Sequence, residues 1–181
     1  MLHPSQDHLP QKSENTTIRW RTQVGPLCAF FFSFALDVLS KNWASHYLRP
    51  GESQTIFPPL LQFSLVTNTG VAFSVGRDYG WLVFIVTTGV FIALIFWYCR
   101  QVKRGFESRL EHYGLAIVIG GALGNLLDRY MHGHVTDFLE FTFVKFPVFN
   151  LADVMIDVGI GLIVLSNLIR PAHTLTKPRA R

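Results

Sequence analysis

Charge is scarce in this sequence: Asp, Glu, Lys and Arg together make up 15% of its 181 residues, against 49% hydrophobic ones. That balance is too apolar for an ordinary soluble domain and suits one compact membrane unit. Cysteine is almost absent too. The two present, Cys28 near the start of its apolar stretch and Cys99 at the close of its own, both at ends expected to face the cytoplasm, are expected to be apolar filler, with no disulfide between them. The sequence lacks a phosphate-binding glycine loop, a GxSxG elbow and an HExxH helix, which removes the common nucleotide, serine-hydrolase and zinc-protease readings. His132 and His134 stand two apart without Cys or a third suitably spaced ligand, too sparse a set for a metal site. No repeat of 20–50 residues is apparent.

Long apolar runs, by contrast, are abundant. Residues 24–47, 81–99, 112–130 and 153–169 each have the length that a helix needs to cross about 30 Å of hydrocarbon, roughly 20 residues. A buried helix of a soluble bundle would show a polar stripe every 3.6 residues; "WLVFIVTTGVFIALIFWYC" (81–99) shows none. Four transmembrane helices are therefore expected, in a domain spanning residues 24–170. Residues 1–23 read as a disordered polar tail and 171–181 as a basic one. The first run is expected to be kept as a helix rather than cleaved as a signal peptide. Asp37 and Lys41 occupy the place of a cleavage region, and no small-x-small site follows.

Lys and Arg set the expected orientation. Arg19 and Arg21 precede the first span, Arg100, Lys103, Arg104 and Arg109 separate the second from the third, and Arg170, Lys177, Arg179 and Arg181 follow the fourth. The other two connections hold fewer: Arg49 and Arg77 in one, Lys145 and the border residue Arg129 in the other. Both termini and the middle connection should face the cytoplasm. This asymmetry accounts for the net charge of +4 without a nucleic-acid partner.

The remaining polar residues then collect at one depth. Asp37 lies about 20 Å along the first span at ~1.5 Å per residue, with Lys41 one turn further on the same face. Asn125, Asp128 and Arg129 end the third span, Asn150 and Asp153 begin the fourth, and Asp137 lies between them. Gly120 and Gly124 form a small-xxx-small face for close helix packing, and Gly159 and Gly161 are expected to serve the fourth span in the same way. The two outer connections, "TIFPPLLQFSLV" followed by "TNTGVAFSV" (55–75) and "DFLEFTFVKFPVFN" (137–150), read as short strands of a small sheet that would cover these groups.

An ionised carboxylate in hydrocarbon costs roughly 2.5–3.5 kcal/mol even on lenient scales, so Asp153 and Asp157 inside "FNLADVMIDVGIGLIVL" (149–165) need a purpose. Two neighbouring carboxyls share a proton: one can draw a proton from water while the other polarises a carbonyl. Asp37, Asp128, Asp137, Asp153 and Asp157 are the candidates. The same cluster would also suit a proton-coupled transporter, although four spans without matching broken halves are few for one.

Five segments in order, "DVLSK" (37–41), "NTGVAFS" (68–74), "GGALGNLLDR" (120–129), "VTDFLEF" (135–141) and "FNLADVMIDVG" (149–159), closely resemble lipoprotein signal peptidase, the bacterial signal peptidase II family of aspartic peptidases. The resemblance covers residues 24 to 169. It implies an all-α membrane protein, a four-helix bundle with a small extracytoplasmic sheet, in the bacterial inner membrane. Such an enzyme removes signal peptides from diacylglyceryl-modified prolipoproteins, cutting before the lipid-bearing cysteine. It implies Asp137 and Asp153 as the catalytic pair, with the base and the acid unassigned, and Arg129, Asn68 and Gly70 on the substrate side. Asn125 and Asn150 would support the acids, and Asp37, Lys41 and Asp128 would be polar contacts between helices. No cofactor is implied, and the partners are the lipidated precursor and membrane lipid. Asp157 departs from the family pattern; it is expected to be a solvated or hydrogen-bonded acid of the bundle, ahead of a role in raising the proton affinity of Asp153 or pairing with Lys41 or Arg129. A non-catalytic scaffold for lipidated proteins is the alternative reading.

Overall fold

The computed structural model describes residues 12–70 and 79–169, which form helices α1 (Lys12–Tyr47), α2 (Gly80–Arg104), α3 (Arg109–His132) and α4 (Leu151–Leu168) and strands β1 (Ser53–Phe57), β2 (Leu61–Asn68) and β3 (Val135–Phe141). Four helical segments are long and apolar enough to cross a membrane: Gln23–Tyr47, Gly80–Arg104, Arg109–His132 and Leu151–Leu168. Helical backbone runs back to Lys12, ahead of the expected boundary at Val24; of the expected tails, residues 1–11 and 170–181 lie outside the described residues.

The helix ends are set by local chemistry. Ser108 caps α3, its hydroxyl accepting the Leu110 N–H at 3.1 Å, and Gly133 closes it in a left-handed conformation (φ 77°) with its N–H on the Arg129 carbonyl. Helix α4 begins two residues before the expected Asp153 because Asn150 and Asp153 form a reciprocal capping box, each side chain accepting the other's backbone N–H at 3.1 Å.

Helix α3 is the centre of the bundle, packed against α1, α2 and α4. Its glycines explain how. A Cβ on Gly120 would sit 2.5 Å from the Phe30 carbonyl oxygen of α1, and one on Gly121 would sit 2.8 Å from the Ala152 carbonyl of α4. Gly114 and Gly159 approach each other's backbone, each Cβ position 2.6 Å from the other's carbonyl oxygen. Gly161 differs from expectation: it meets nothing within 4 Å and belongs to an open face of α4. Gly120→Val is expected to push α1 off α3 and destabilise the protein by about 1–3 kcal/mol, the usual cost of overpacking. Thermal unfolding in detergent would read this as a lowered midpoint, and an unchanged midpoint would contradict the packing.

At the end remote from the sheet, a second polar knot joins three helices. His112 Nε2 lies 3.0 Å from the Tyr98 hydroxyl and 3.1 Å from the Gln23 amide oxygen, Phe106 stacks on its ring, and Gln101 donates to Glu111 at 3.0 Å. Helix α2 is otherwise peripheral. Only Val83 is buried among its residues, while Trp81, Ile85, Ile92 and Phe96 are open, as an apolar helix facing lipid would be.

The sheet is antiparallel in the order β1-β2-β3. Pro58 and Pro59, which lack the N–H a ladder requires, fall between β1 and β2 and split the first expected strand in two. The expected alternation over Phe143–Phe146 does not form a strand: β3 ends at Phe141, and only Phe149 returns to pair with Leu139. Residues 71–78, including the second half of the expected "NTGVAFS" segment, lie outside the described residues. A small apolar core of Ala44, Leu48, Phe138 and Leu139 seats the sheet on the end of α1, with Trp43 against Phe63 at 4.8 Å.

Candidate active site

Four chain segments, the ends of β2 and α3, strand β3 and the start of α4, converge beside this core, each for a local reason. The β2–β3 register puts Val66 opposite Asp137 and Asn68 opposite Val135, so Asn68 and Asp137 share one end of the ladder. The Phe149 bridge, with Phe149 N–H on the Leu139 carbonyl at 2.9 Å, delivers Asn150 and the start of α4 to the same place. The last turns of α3 supply Asn125, Asp128 and Arg129.

Asn150, fully buried, is the joint of the site. Its Nδ2 donates to Asp137 Oδ1 at 2.7 Å and to Asn125 Oδ1 at 3.1 Å, and its backbone N–H donates to Asp153 Oδ2 at 3.1 Å. One residue therefore holds both carboxyls. Asn68 Nδ2 takes Asp137 Oδ2 at 2.9 Å, and Asn125 Nδ2 takes Asp153 Oδ1 at 3.0 Å, so all four carboxylate oxygens have a donor. Neither amide is free to turn. Asn68 Oδ1 accepts the Gly70 N–H at 3.0 Å, and Asn125 Oδ1 accepts both Asn150 and Lys41 Nζ, the latter at 2.7 Å.

Around this centre lies a frame of charges. Lys41 also donates to Asp37 Oδ2 at 2.7 Å and lies 3.7 Å from Asp128 Oδ2. Asp37, with no exposed surface, accepts the Ala152 N–H at 3.0 Å, and Asp128 accepts the Thr136 N–H at 2.7 Å. Both tie one segment's side chain to another segment's backbone, and no residue pattern in the sequence announces such a bond. Arg129 donates to the carbonyls of Asn125 and Gly70 at 3.2 and 3.0 Å, leaving its buried Nε without a partner among the described residues. His132 leans on Asp128 at 3.1 Å, with His134 beside it. Asp157 stands apart. It is exposed, as a solvated acid would be although not inside the bundle, and pairs with neither Lys41 nor Arg129, because Asp37, Asn125 and Gly70 already occupy those cations and Asp157 points away from the α3 contact.

The family model for signal peptidase (SPase) II matches residues 29–169. This chain belongs to the signal peptidase II family. It is 36% identical over 152 residues to a lipoprotein signal peptidase of Nostoc sp., covering 83% of this chain and 94% of that protein. Against a lipoprotein signal peptidase of Shewanella loihica it is 38% identical over 167 residues, covering 89% and 92%. Two solved bacterial membrane enzymes share the fold. One superposes with a TM-score of 0.73 at 24% identity over 87% of this chain and 96% of its own; the other gives 0.70 at 26% identity over 82% and 96%.

The chain is thus a membrane-spanning peptide hydrolase of the signal peptidase II family, and its polar cluster is the candidate site. The electrostatics there are uneven. Burial pushes the Asp137 carboxyl up to about 6, the charge of Asp153 adds to the rise, and the hydrogen bonds from Asn68 and Asn150 oppose it. Asp153 is the more accessible of the two. The folded state therefore binds the Asp137 proton more tightly than the unfolded chain, whose reference value is 3.8. Stability should fall as pH rises from about 4 through about 6, by on the order of 2–3 kcal/mol, and level off above. Melting in detergent across that range checks this: the slope of the parent should exceed that of Asp137→Asn, and equal slopes would contradict it.

Proposed function

We propose that this chain is a membrane-embedded aspartic endopeptidase that removes signal peptides from diacylglyceryl-modified prolipoproteins, cutting before the lipid-modified cysteine. Asp137 and Asp153 are its catalytic pair. The observation that carries the reading is the double grip of Asn150, which holds Asp137 through its amide and Asp153 through its backbone N–H. Such a grip fixes two carboxyls against each other while each oxygen keeps a lone pair for water, substrate or a shared proton.

Roles follow from environment. Asp137, nearly inaccessible and with its carboxyl raised to about 6, works in its protonated form, donating a hydrogen bond to the scissile carbonyl oxygen. Asp153, more open and bonded by Asn125 and Asn150, takes a proton from the attacking water. The tetrahedral intermediate collapses when the proton gained by Asp153 passes to the departing amine of the cysteine residue. Water is the only co-reactant. Asn68 and Gly70 shape the substrate side, Arg129 offers its spare Nε–H there, and Asp37, Lys41 and Asp128 hold the frame.

The lipid requirement has a physical basis. Each buried methylene is worth about 0.8 kcal/mol, so a diacylglyceryl group keeps the precursor in the bilayer at the depth of the site. The excess of Lys and Arg at the termini and the α2–α3 connection supports cytoplasmic termini and an extracytoplasmic site in the bacterial inner membrane. The test is cleavage by purified protein in detergent, followed on a gel, of a precursor with and without its diacylglyceryl group. Loss of the signal peptide from the lipidated precursor alone is expected. If the folded protein leaves it intact, the peptidase reading fails; retained binding would then favour a scaffold, and proton flux in liposomes a transporter.

A further inference from the structure

Asp157 has no task in the mechanism above. It lies one turn below Asp153 on α4, about 6 Å along the axis, and is exposed. It makes no hydrogen bond or ion pair with any described residue, although a bare carboxylate at that depth in a span is costly. Its direction is defined by the α3 contact, which α4 makes through Ala152, Ile156, Gly159, Leu162 and Ile163. At about 100° per residue, Asp157 is turned roughly 140° from Ala152 and roughly 160° from Gly159. Gly161, one turn further, faces open space. Helix α2 packs on α3 but makes no substantial contact with α4. Asp153, Asp157 and Gly161 thus form an open stripe that starts at the candidate catalytic Asp153 and descends the helix, with room for another chain to lie close.

We propose that Asp157 is a specificity-determining residue, whose carboxylate accepts a hydrogen bond from a hydroxyl or amide side chain of the bound signal peptide a few residues before the scissile bond. The inference rests on the peptidase reading. The signal peptide is the occupant because the stripe is continuous with Asp153, and the substrate chain on the N-terminal side of the cut must run from there into the bilayer. A descent of about 6 Å corresponds to roughly two residues of extended chain or four of helix, so the donor stands two to four residues before the bond. A neutral donor suits the site better than an ammonium, which would bring its own desolvation cost into the membrane.

The experiment uses the full chain in detergent and lipidated precursors that differ only by Thr or Val, nearly equal in shape, at each position two to four before the scissile bond. With the parent, kcat/KM should favour Thr about tenfold at one position. Asp157→Leu, tolerated by an exposed position on an apolar helix, should erase or reverse that preference, and Asp157→Asn, which keeps one acceptor oxygen, should fall between. An equal Thr-to-Val ratio in the parent and Asp157→Leu, or no preference in the parent, overturns the assignment and leaves the peptidase reading standing. Failure of the parent to cleave any lipidated precursor overturns both.

Discussion

Asp153→Asn and Asp137→Asn are each expected to lower kcat for lipidated precursor by at least about 10³-fold while leaving a folded protein that still binds it. The size follows from the roles: positioned proton transfer contributes about 10²–10⁴-fold, and the loss of Asp153 removes proton withdrawal while the loss of Asp137 removes the acid that polarises the carbonyl. Survival of the fold follows from the hydrogen bonds. In Asp153→Asn, the oxygen can keep the donor from Asn150 or from Asn125, but the new NH2 then faces the other donor. One mismatched contact costs about 1–3 kcal/mol, a fraction of the stability of most domains. The same holds for Asp137→Asn, caught between Asn68 and Asn150, neither of which can turn because their oxygens are engaged. That variant should recover part of the loss near neutral pH, where the parent bears the cost of ionising a buried group. Steady-state cleavage and detergent melting on one preparation separate the two effects. A variant with more than about a tenth of parental kcat would remove its aspartate from the catalytic pair.

Much of this site is legible in the sequence because membrane burial makes polar residues conspicuous. Each acid or amide in an apolar run must be satisfied by a partner, so Asp37, Asn125, Asp128, Asn150 and Asp153 announce themselves by cost alone. The same logic leaves Asp157 open between a solvated and a bonded acid, since a carboxylate can also face the open side of a helix, and a helical repeat says which residues share a face but not what covers it. Backbone donors were hidden as well. Nothing marks Ala152 or Thr136 as the partners of Asp37 and Asp128, because every residue but proline carries an N–H. The alternating segment after Phe141 misled for a related reason. Period-2 apolarity fits a strand, but Pro147 withholds a donor, and only Phe149 finds a ladder partner. His112, unremarked inside an apolar span, turned out to be the knot at the remote end.

Lys41→Met is expected to be the most destabilising single change in the frame, and to slow cleavage from a distance. Lys41 is nearly inaccessible and its ammonium is shared by Asp37 and Asn125, with Asp128 close by. Removing it leaves the buried Asp37 carboxylate with the Ala152 N–H alone, and breaking one side of a buried pair costs about 3–5 kcal/mol. Catalysis suffers through a different bond. The Asn125 oxygen is held by Lys41 and Asn150 together, which keeps its NH2 on Asp153. With Lys41 gone only Asn150 resists a flip, and a flipped amide would set an oxygen against the Asp153 carboxylate. A drop of about tenfold in kcat with little change in KM is the expected mark of that positioning role. The double variant Asp37→Asn with Lys41→Met separates the two consequences: neutralising the stranded acid should restore about 2 kcal/mol or more of stability, a coupling that a double-mutant cycle measures directly. Its kcat should stay low, since Asn125 is still unlocked. If activity returned together with stability, Lys41 would be a helix fastener only, and the orientation of Asn125 would have to rest on Asn150.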